Sequence, residues 1–297
     1  MSSYNGADII FPHLGIVIQK IQNHITVFGF DIMFYGIIIG TALFVAMFII
    51  TADAKRRGQD PDDYWDAFIY VIIFGVIGAR LYYVAFSWEQ YKNDPLQILN
   101  IRGGGLAIYG AVIGGCLALF TYCVIKKKDF LEMMDSLVLG LWFGQAAGRW
   151  GNFFNCEAFG EYTDTFLAMR IKESLVSPAA VTEKMKLHRI TDAGVNYIQV
   201  HPTFLYESLW NLASLGIALW YGRKIQKFKG EIFFLYLVLY GIGRTWIEGL
   251  RTDSLYVAGT GLRVSQCLSA VLAVIGITAI LIGRNVVKKK RTDEKTT

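Results

Sequence analysis

The 297-residue chain is 54% hydrophobic, has a mean hydropathy of +0.40 and carries a formal net charge of +5. Its apolar residues form long runs separated by charged breaks, a pattern typical of a polytopic membrane protein rather than of a soluble core. The positive charge lies in those breaks and therefore does not indicate a nucleic-acid-binding surface. The four cysteines and four histidines lack the spacing of a metal site, so we predict neither a metal nor a cofactor.

Seven stretches are long enough, or nearly so, to cross a hydrocarbon core, which requires about 20 helical residues. In chain order they cover residues 34–50, 67–86, 106–125, 131–148, 203–221, 232–246 and 264–282. The sequence therefore predicts an all-α polytopic membrane protein of about seven transmembrane helices, with a small irregular extracytoplasmic head between spans four and five.

Basic residues follow alternate spans, in residues 55–57, 126–128, 223–229 and 284–295. Because cytoplasmic loops are enriched in Lys and Arg, we expect the N-terminus outside and the C-terminus inside. No Lys or Arg precedes Lys20 and no cleavage site follows, so the first span is expected to act as the insertion signal. Residues 7–32 are predicted to lie along the outer surface as an amphipathic segment. The expected divisions are an outer segment (1–33), spans one to four (34–151), the head (152–200), spans five to seven (201–283) and a basic cytoplasmic tail (284–297).

A polar motif follows directly on span four. An ionised guanidinium beside hydrocarbon costs at least about 2.5–3.5 kcal/mol, so an arginine is kept there mainly where it faces a partner or a polar cavity. Glycines allow close approach of backbone, and amide and carboxylate groups can bind hydroxyls, so the motif suits a phosphate that bears hydroxyls. An arginine that merely snorkels to the interface is the structural alternative. The motif comprises Gly148, Arg149, Gly151, Asn152, Asn155, Glu157 and Gly160.

Span six ends in a second charged set, Arg244, Glu248 and Arg251, spaced i, i+4 and i+7. This spacing predicts one helical face, on which Glu248 orients both guanidiniums toward a ligand. Arg149 and Arg244 could then grip one phosphate from separate spans. A self-neutralising network that braces neighbouring helices is the competing interpretation.

Other polar residues fall in the outer half of the predicted bundle. Glu207 lies one turn into span five, where an ionisable group needs a partner, and an arginine is the expected one. Pro202, directly after His201, marks the helix start. Arg80 lies in span two, and Tyr35 and Tyr109 lie near the outer ends of spans one and three.

Glycines precede and occupy span three. Residues 103–105 are predicted to bend around a lipid head group, whereas Gly110, Gly114 and Gly115 are predicted to permit close helix packing. The cysteines, Cys116, Cys123, Cys156 and Cys267, are interpreted mostly as small buried apolar residues. Cys156 adjoins the arginine motif and could act as a nucleophile, but we judge that role unnecessary.

Taken in order, these motifs resemble the prolipoprotein diacylglyceryl transferase family. The resemblance runs from Tyr35 through residues 78–80, the glycine run, the arginine–asparagine motif and His201–Pro202 with Glu207, to Arg244, Glu248 and Arg251. It implies transfer of a diacylglyceryl group from phosphatidylglycerol to the lipobox cysteine of a bacterial prolipoprotein in the plasma membrane, with release of glycerol phosphate.

The resemblance also implies site roles. Arg149 is expected to bind the phosphate and Arg244 to be a second essential arginine, with Tyr35 and Glu248 in the catalytic set. Substrate contacts are expected at or near Asn152, Asn155, Glu157, Gly160, Arg80, Tyr109, His201, Glu207 and Arg251. Many members have a histidine where this chain has Tyr109, and a phenol, with a reference pKa near ~10, is a poorer base. A transporter for an anionic solute is the alternative function, disfavoured because the polar residues do not continue inward.

Overall fold

The computed structural model describes residues 6–101, 104–252, 256 and 259–296. Its helices are α1 (Phe34–Arg56), α2 (Pro61–Phe86), α3 (Trp88–Tyr91), α4 (Ile108–Lys126), α5 (Phe130–Phe154), α6 (Glu183–Leu187), α7 (Thr203–Lys224), α8 (Glu231–Glu248) and α9 (Val264–Thr296). Its strands are β1 (Ile9–Phe11), β2 (Ile16–Ile18), β3 (His24–Val27), β4 (Phe30–Met33), β5 (Met169–Lys172), β6 (Ile190–Asp192) and β7 (Val195–Val200). Short 3₁₀ turns cover Pro95–Leu99, Glu173–Leu175 and Pro178–Ala180.

Each predicted span falls on one of the long helices. Four of these helices, α1, α2, α4 and α9, are long and apolar enough to cross a membrane by length and composition. That composition is characteristic of a multi-pass membrane protein. The remaining long helices, α5, α7 and α8, carry Arg149, Glu207, Arg244 and Glu248, and these charged residues lower their hydropathy.

The all-α prediction is incomplete, because the described residues include a five-stranded antiparallel sheet of order β2-β1-β5-β7-β6. Ile9 pairs with Ile171, and Met169 pairs with Val200. The N-terminal residues predicted to form an amphipathic surface segment therefore supply two strands of this sheet, and that prediction is wrong for residues 9–18. β3 and β4 form a separate hairpin. Its turn residues, Phe28 and Gly29, both have positive φ, as a type I′ turn requires.

The chain divides into two compact units, one of residues 1–46 with 138–297 and one of residues 47–137. In the first unit, the sheet packs on the ends of α5 and α7. Ile171 and Ile198 of the sheet share a buried apolar cluster with Phe153 of α5 and Phe204 of α7. The rings of Phe153 and Phe204 lie 4.7 Å apart. This packing fixes the polar ends of the two helices against a rigid support.

In the second unit, α2 and α4 cross with their backbones in contact. A Cβ added to Gly78 would overlap the Gly110 carbonyl, and one added to Gly114 would overlap the Phe74 carbonyl. Val71 lies 3.3 Å from the position of a Cβ on Gly115. The predicted packing role of the span-three glycines is confirmed, since any side chain at Gly110 or Gly114 would push the helices apart.

Candidate functional site

Arg149 lies near the end of α5, which continues through the motif to Phe154 rather than ending at Gly148. Its Nε lies 2.5 Å from Glu207 Oε2, and its Nη1 donates to Asn152 Oδ1 at 3.3 Å. A snorkelling arginine would turn toward bulk water, whereas this guanidinium is held by two neighbours, one of them on another helix. The position on an ordered helix fixes the direction of the side chain.

Glu207, in the first turns of α7, is the centre of the charged cluster. Besides Arg149, its carboxylate accepts from Arg244 Nη1 at 2.8 Å and lies 3.7 Å from Arg251 Nη1. Glu207 is only 6% exposed. Glu207 therefore has three arginine partners where one was expected. Its buried carboxylate lies against guanidiniums from α5, from α8 and from the segment after α8.

The predicted helical stripe of span six is wrong at its last member. α8 ends at Glu248, so Arg251 lies beyond the helix, where residue 251 forms an isolated antiparallel bridge with Gly160. Gly249 and Leu250 turn the chain back, and Arg251 reaches Glu207 from this turn instead of from a helical face. Glu248 lies 2.7 Å from Arg244 Nη2, close enough for an ion pair, although its Oε2 makes no aligned hydrogen bond among the described residues. Glu248 therefore pairs with Arg244. The carboxylate that joins Arg244 and Arg251 is that of Glu207, whereas the sequence predicted Glu248 for this role.

A close helix contact and one small cavity lie beside Arg244. Gly243 lets the Trp210 indole press against α8, where its Nε1 donates to the Leu239 carbonyl at 2.9 Å. A cavity of about 20 Å³, lined by Glu207, Trp210, Arg244 and neighbours, lies beside the ion pairs. This volume suits one water molecule, which could solvate the charged groups.

A hydrogen-bonded chain extends from Arg149 to the exposed end of the motif. Asn152 Nδ2 donates to Glu157 Oε1 at 3.0 Å, and Asn155 Nδ2 donates to the same oxygen at 3.2 Å. Cys156 and Ala158, on either side of Glu157, have φ of 52° and 57°. This left-handed backbone is unfavourable for residues with a Cβ and reverses the chain, which returns the carboxylate to the two amides. The structure thus joins Arg149, Asn152, Asn155 and Glu157.

Gly160 lies where three chain segments meet. Its N–H donates to the His201 carbonyl at 3.0 Å, and a Cβ on it would lie 2.8 Å from His201 Cβ and 2.9 Å from the Leu250 carbonyl. Nδ1 of the His201 ring lies 3.3 Å from the Tyr206 hydroxyl oxygen. Burial lowers the pKa of His201 below its ordinary value, which keeps the ring neutral at neutral pH. Gly160 and His201 therefore form the connection between the head and the arginine cluster.

Tyr35, at the start of α1, packs its ring directly against Gly151 of the arginine motif, where a Cβ would overlap the ring. Its side chain is 44% exposed. The side chain thus lies beside Arg149's helix with one face open, as a substrate-contacting residue requires.

Arg80 belongs to the second unit, and its surroundings correct the prediction made for the glycine run. Its guanidinium donates to the backbone carbonyls of Gln97, Ile98, Asn100, Gly104 and Gly105. Gly104 and Gly105, both with positive φ, bend around this guanidinium rather than around a head group; Gly103 lies outside the described residues. Arg80 is 6% exposed, so its geometry supports the connection before α4 rather than direct substrate contact.

Tyr109, also in the second unit, is 38% exposed near the start of α4. Its ring centroid lies 6.4 Å from that of Tyr82.

The cysteines differ from the prediction at one position. Cys123 and Cys156 are buried and Cys267 is half-buried, but Cys116 is exposed on α4. Burial, reinforced by Asp8, raises the pKa of Cys156 to about 11. At neutral pH the thiol is protonated, so the adjacent arginine motif does not activate it as a nucleophile.

Two residues that support the site escaped the sequence argument. Arg263, just before α9, donates to the Glu248 carbonyl, and Ser208 accepts a hydrogen bond from Trp150 Nε1 at 3.2 Å. Arg263 had a usable signal, since it is a basic residue at the expected outer start of a span, where the positive-inside pattern does not explain it. Ser208 had none, because a serine on a helix packs or hydrogen-bonds locally in most settings.

Known proteins of one family are similar to this chain over most of its length. The sequence model described as prolipoprotein diacylglyceryl transferase matches residues 22–282. The chain is 41% identical over 254 residues to the phosphatidylglycerol–prolipoprotein diacylglyceryl transferase of Clostridioides difficile, spanning 86% of this chain and 92% of that protein. It is 41% identical over 272 residues to the protein of the same name from Bacillus cytotoxicus, spanning 91% and 95%. A Bacillus cereus relative of the same name is 40% identical over 272 residues.

These matches cover most of the chain and of each relative, and they favour the transferase interpretation over the transporter. The chain therefore belongs to the prolipoprotein diacylglyceryl transferase family, and its members named here are transferases.

Proposed function

We propose that this protein transfers the diacylglyceryl group of phosphatidylglycerol to the thiol of the lipobox cysteine in bacterial prolipoproteins, and releases glycerol phosphate. The observation that carries the proposal is the convergence of Arg149, Arg244 and Arg251 on one buried carboxylate, Glu207. The three guanidiniums are paired with two carboxylates, those of Glu207 and Glu248. The excess positive charge suits the phosphate of a lipid.

Arg149 and Arg244 are the proposed catalytic residues because they can contact the leaving phosphate. Arg149 contacts Glu207 through Nε and Asn152 through Nη1, and its third nitrogen, Nη2, is the proposed ligand of a phosphate oxygen. Its side chain is 28% exposed, which leaves that nitrogen available to a phosphate oxygen. Glu207 holds both arginines in place, so we assign it to positioning. Glu248 has the same role for Arg244.

The remaining predicted residues form the proposed rim of the substrate site. Tyr35 and the amides of Asn152 and Asn155 would contact the glyceryl hydroxyls, with Glu157 fixing both amides. Gly160, His201 and Arg251 would hold this rim against the helices. Arg80 would act indirectly, through the loop that it supports.

The proposed reaction is a direct displacement. The cysteine sulfur of the prolipoprotein, as thiolate, attacks the glyceryl carbon that carries the phosphate ester. The new S–C bond forms as the C–O bond breaks, and the electron pair leaves on the phosphate oxygen of glycerol phosphate. The growing negative charge is stabilised by the arginines, which are already in position before the reaction. The reference pKa of a thiol is near ~8.5, so only a modest lowering is needed to ionise the lipobox cysteine at neutral pH. The positive field of the arginines can provide this lowering.

Tyr109 occupies the place of a histidine found in many family members, and we do not assign it the role of base. Tyr109→Phe retains the ring, so a measurable fraction of transfer activity should remain. Complete loss of activity in a stably folded variant would instead assign the hydroxyl to catalysis.

The proposed topology has seven spans in the bacterial plasma membrane, with the N-terminus outside, the head of residues 152–200 extracytoplasmic and the tail of residues 284–297 cytoplasmic. The basic residues at the ends of α1, α4 and α7 support this orientation, as do those at the end of α9. A reporter enzyme that functions only in the cytoplasm should be active when it is fused after Lys290. Activity of a periplasmic reporter at that position would reverse the topology.

The transfer itself is tested with purified protein, phosphatidylglycerol radiolabelled in its acyl chains and a lipobox peptide. Label should appear on the peptide, and a matched peptide with serine in place of the cysteine should stay unlabelled. Equal labelling of both peptides, or none of either with folded protein, would overturn the proposal.

A further inference from the structure

The basic end of α9 and the connection between α7 and α8 enclose a cavity that the proposed reaction does not use. Its volume is about 320 Å³, and its lining residues, which we call the tail pocket, are Lys227, Arg284, Val287, Lys288, Arg291 and Thr292. Four of the six carry positive charge. A concave site with this charge is suited to an anionic group.

The tail pocket has a built wall rather than a loose set of surface lysines. Glu231 is fully buried and accepts hydrogen bonds from Arg284 Nε at 2.6 Å and from the Tyr221 hydroxyl at 2.8 Å. The Tyr221 hydroxyl also accepts from Arg284 Nη2 at 2.6 Å, and the backbone N–H of Lys227 donates to Glu231 Oε2 at 2.5 Å. The same carboxylate therefore fixes two residues that line the cavity, one on each side of it.

A close contact brings these two sides together. The ring of Phe228 lies against Gly283, where an added Cβ would overlap the ring. Lys227 and Arg284, the neighbours of these two residues in sequence, are thereby kept beside each other. The Lys227 side chain and the guanidinium of Arg284 therefore line the same cavity from opposite sides.

The charge of the tail pocket is only partly compensated by the protein. Glu231 neutralises Arg284. Among the described residues, no carboxylate lies within ion-pair distance of the side chains of Lys227, Lys288 or Arg291. The cavity thus retains cationic groups in reach of a ligand.

The position of the tail pocket along α9 indicates the source of the anion. Arg284 lies about 20 residues after Val264, which is the length needed to cross a hydrocarbon core. Leu281, one helical turn before Arg284 on the same face of α9, is 60% exposed. An exposed apolar side chain beside the cationic groups can contact the acyl chain of a lipid, whereas a soluble phosphate has no apolar part to bury there.

We propose that the tail pocket binds the phosphodiester headgroup of an anionic phospholipid, separately from the site that holds Arg149. With the proposed topology, this lipid belongs to the cytoplasmic leaflet, and that assignment alone rests on the proposed function and orientation. The binding itself does not depend on the transfer reaction. Lipid bound there would join α9 to the α7–α8 connection.

The test uses the full-length protein in neutral detergent, where no charged membrane surface contributes. Native mass spectrometry would titrate dioleoyl phosphatidylserine, dioleoyl phosphatidylcholine and inorganic phosphate. The double variant Lys288→Ala/Arg291→Ala should bind one phosphatidylserine fewer, with the affinity of that site lowered about 30-fold, as about 1 kcal/mol for each basic residue implies. Lys289→Ala/Lys290→Ala removes the same charge from the same helix outside the tail pocket, and should change the affinity less than about 3-fold.

Three outcomes would overturn the proposal. Equal weakening by both double variants would show diffuse charge instead of a pocket, and unchanged phosphatidylserine binding by the tail-pocket variant would show no site. Competition by inorganic phosphate at the same concentration would show a site for a soluble anion. If the double variant fails to accumulate, Lys227→Ala tests the other side of the cavity. Transfer activity at saturating phosphatidylglycerol should be the same in all variants, so a failed transfer assay and a failed lipid site give different results.

Discussion

Replacing Glu207 with glutamine tests the central feature of the site, one buried carboxylate shared by three arginines. Glutamine keeps the shape of the side chain but removes the charge that faces Arg149 Nε at 2.5 Å and Arg244 Nη1 at 2.8 Å. Removing one partner of a buried ion pair costs about 3–5 kcal/mol, because the remaining charge is left uncompensated. Here Glu248 still pairs with Arg244, so the main loss falls on Arg149. We therefore expect Glu207→Gln to lower the free energy of unfolding by about 4 kcal/mol, or Tm by about 10 °C.

The assay is thermal unfolding in detergent, followed by tryptophan fluorescence, together with transfer activity at a temperature where both proteins are folded. Glu157→Gln is the matched control, since its exposed carboxylate accepts only from two amides and should cost less than about 1 kcal/mol. Glu207→Gln should also lose most of its activity while folded, because Arg149 is no longer held by an opposite charge. A Tm within about 2 °C of wild type, which is under about 1 kcal/mol, would refute the shared-carboxylate argument.

Three further variants test other parts of the molecule. Arg149→Lys should lower the transfer rate by about 100-fold or more because a point charge replaces a planar fork; near-normal turnover in steady-state assays would remove Arg149 as the phosphate ligand. A variant with all four cysteines replaced by alanine or serine should still modify the peptide, because a Cys156 thiol with a pKa of about 11 is about 0.1% ionised at pH 8; activity restored only by returning Cys156 would instead indicate a covalent intermediate. Gly110→Ala should prevent accumulation of folded protein, since its Cβ would overlap the Gly78 carbonyl, whereas Gly144→Ala, with open space around it, should accumulate normally on immunoblots of membranes.

Long apolar runs determined the helical elements, because a 20-residue apolar segment in a membrane protein has few alternatives to a helix. The sequence also predicted that the charged residues Arg149, Glu207 and Arg244 belong to one group. Burying an unpaired charge in such a segment is unfavourable, so each of them needed a partner. The glycine spacing of residues 110 and 114 was sufficient to predict close helix packing. These inferences depend on local composition and on spacing within one element.

Pairings between distant segments were decided by the tertiary structure alone. Strand β1 pairs with β5 across some 160 residues, and neither short strand has enough periodicity to predict its partner. Which carboxylate joins the arginines was likewise undetermined by helical spacing, because Arg251 lies past the end of α8 and reaches Glu207 from a turn. Arg80 satisfies its donors on loop carbonyls, which carry no sequence signature. The sequence by itself determined which residues needed partners, and only the three-dimensional packing of the chain decided which partners they have, since a charge or a backbone carbonyl can be satisfied by any complementary group that the fold brings within reach.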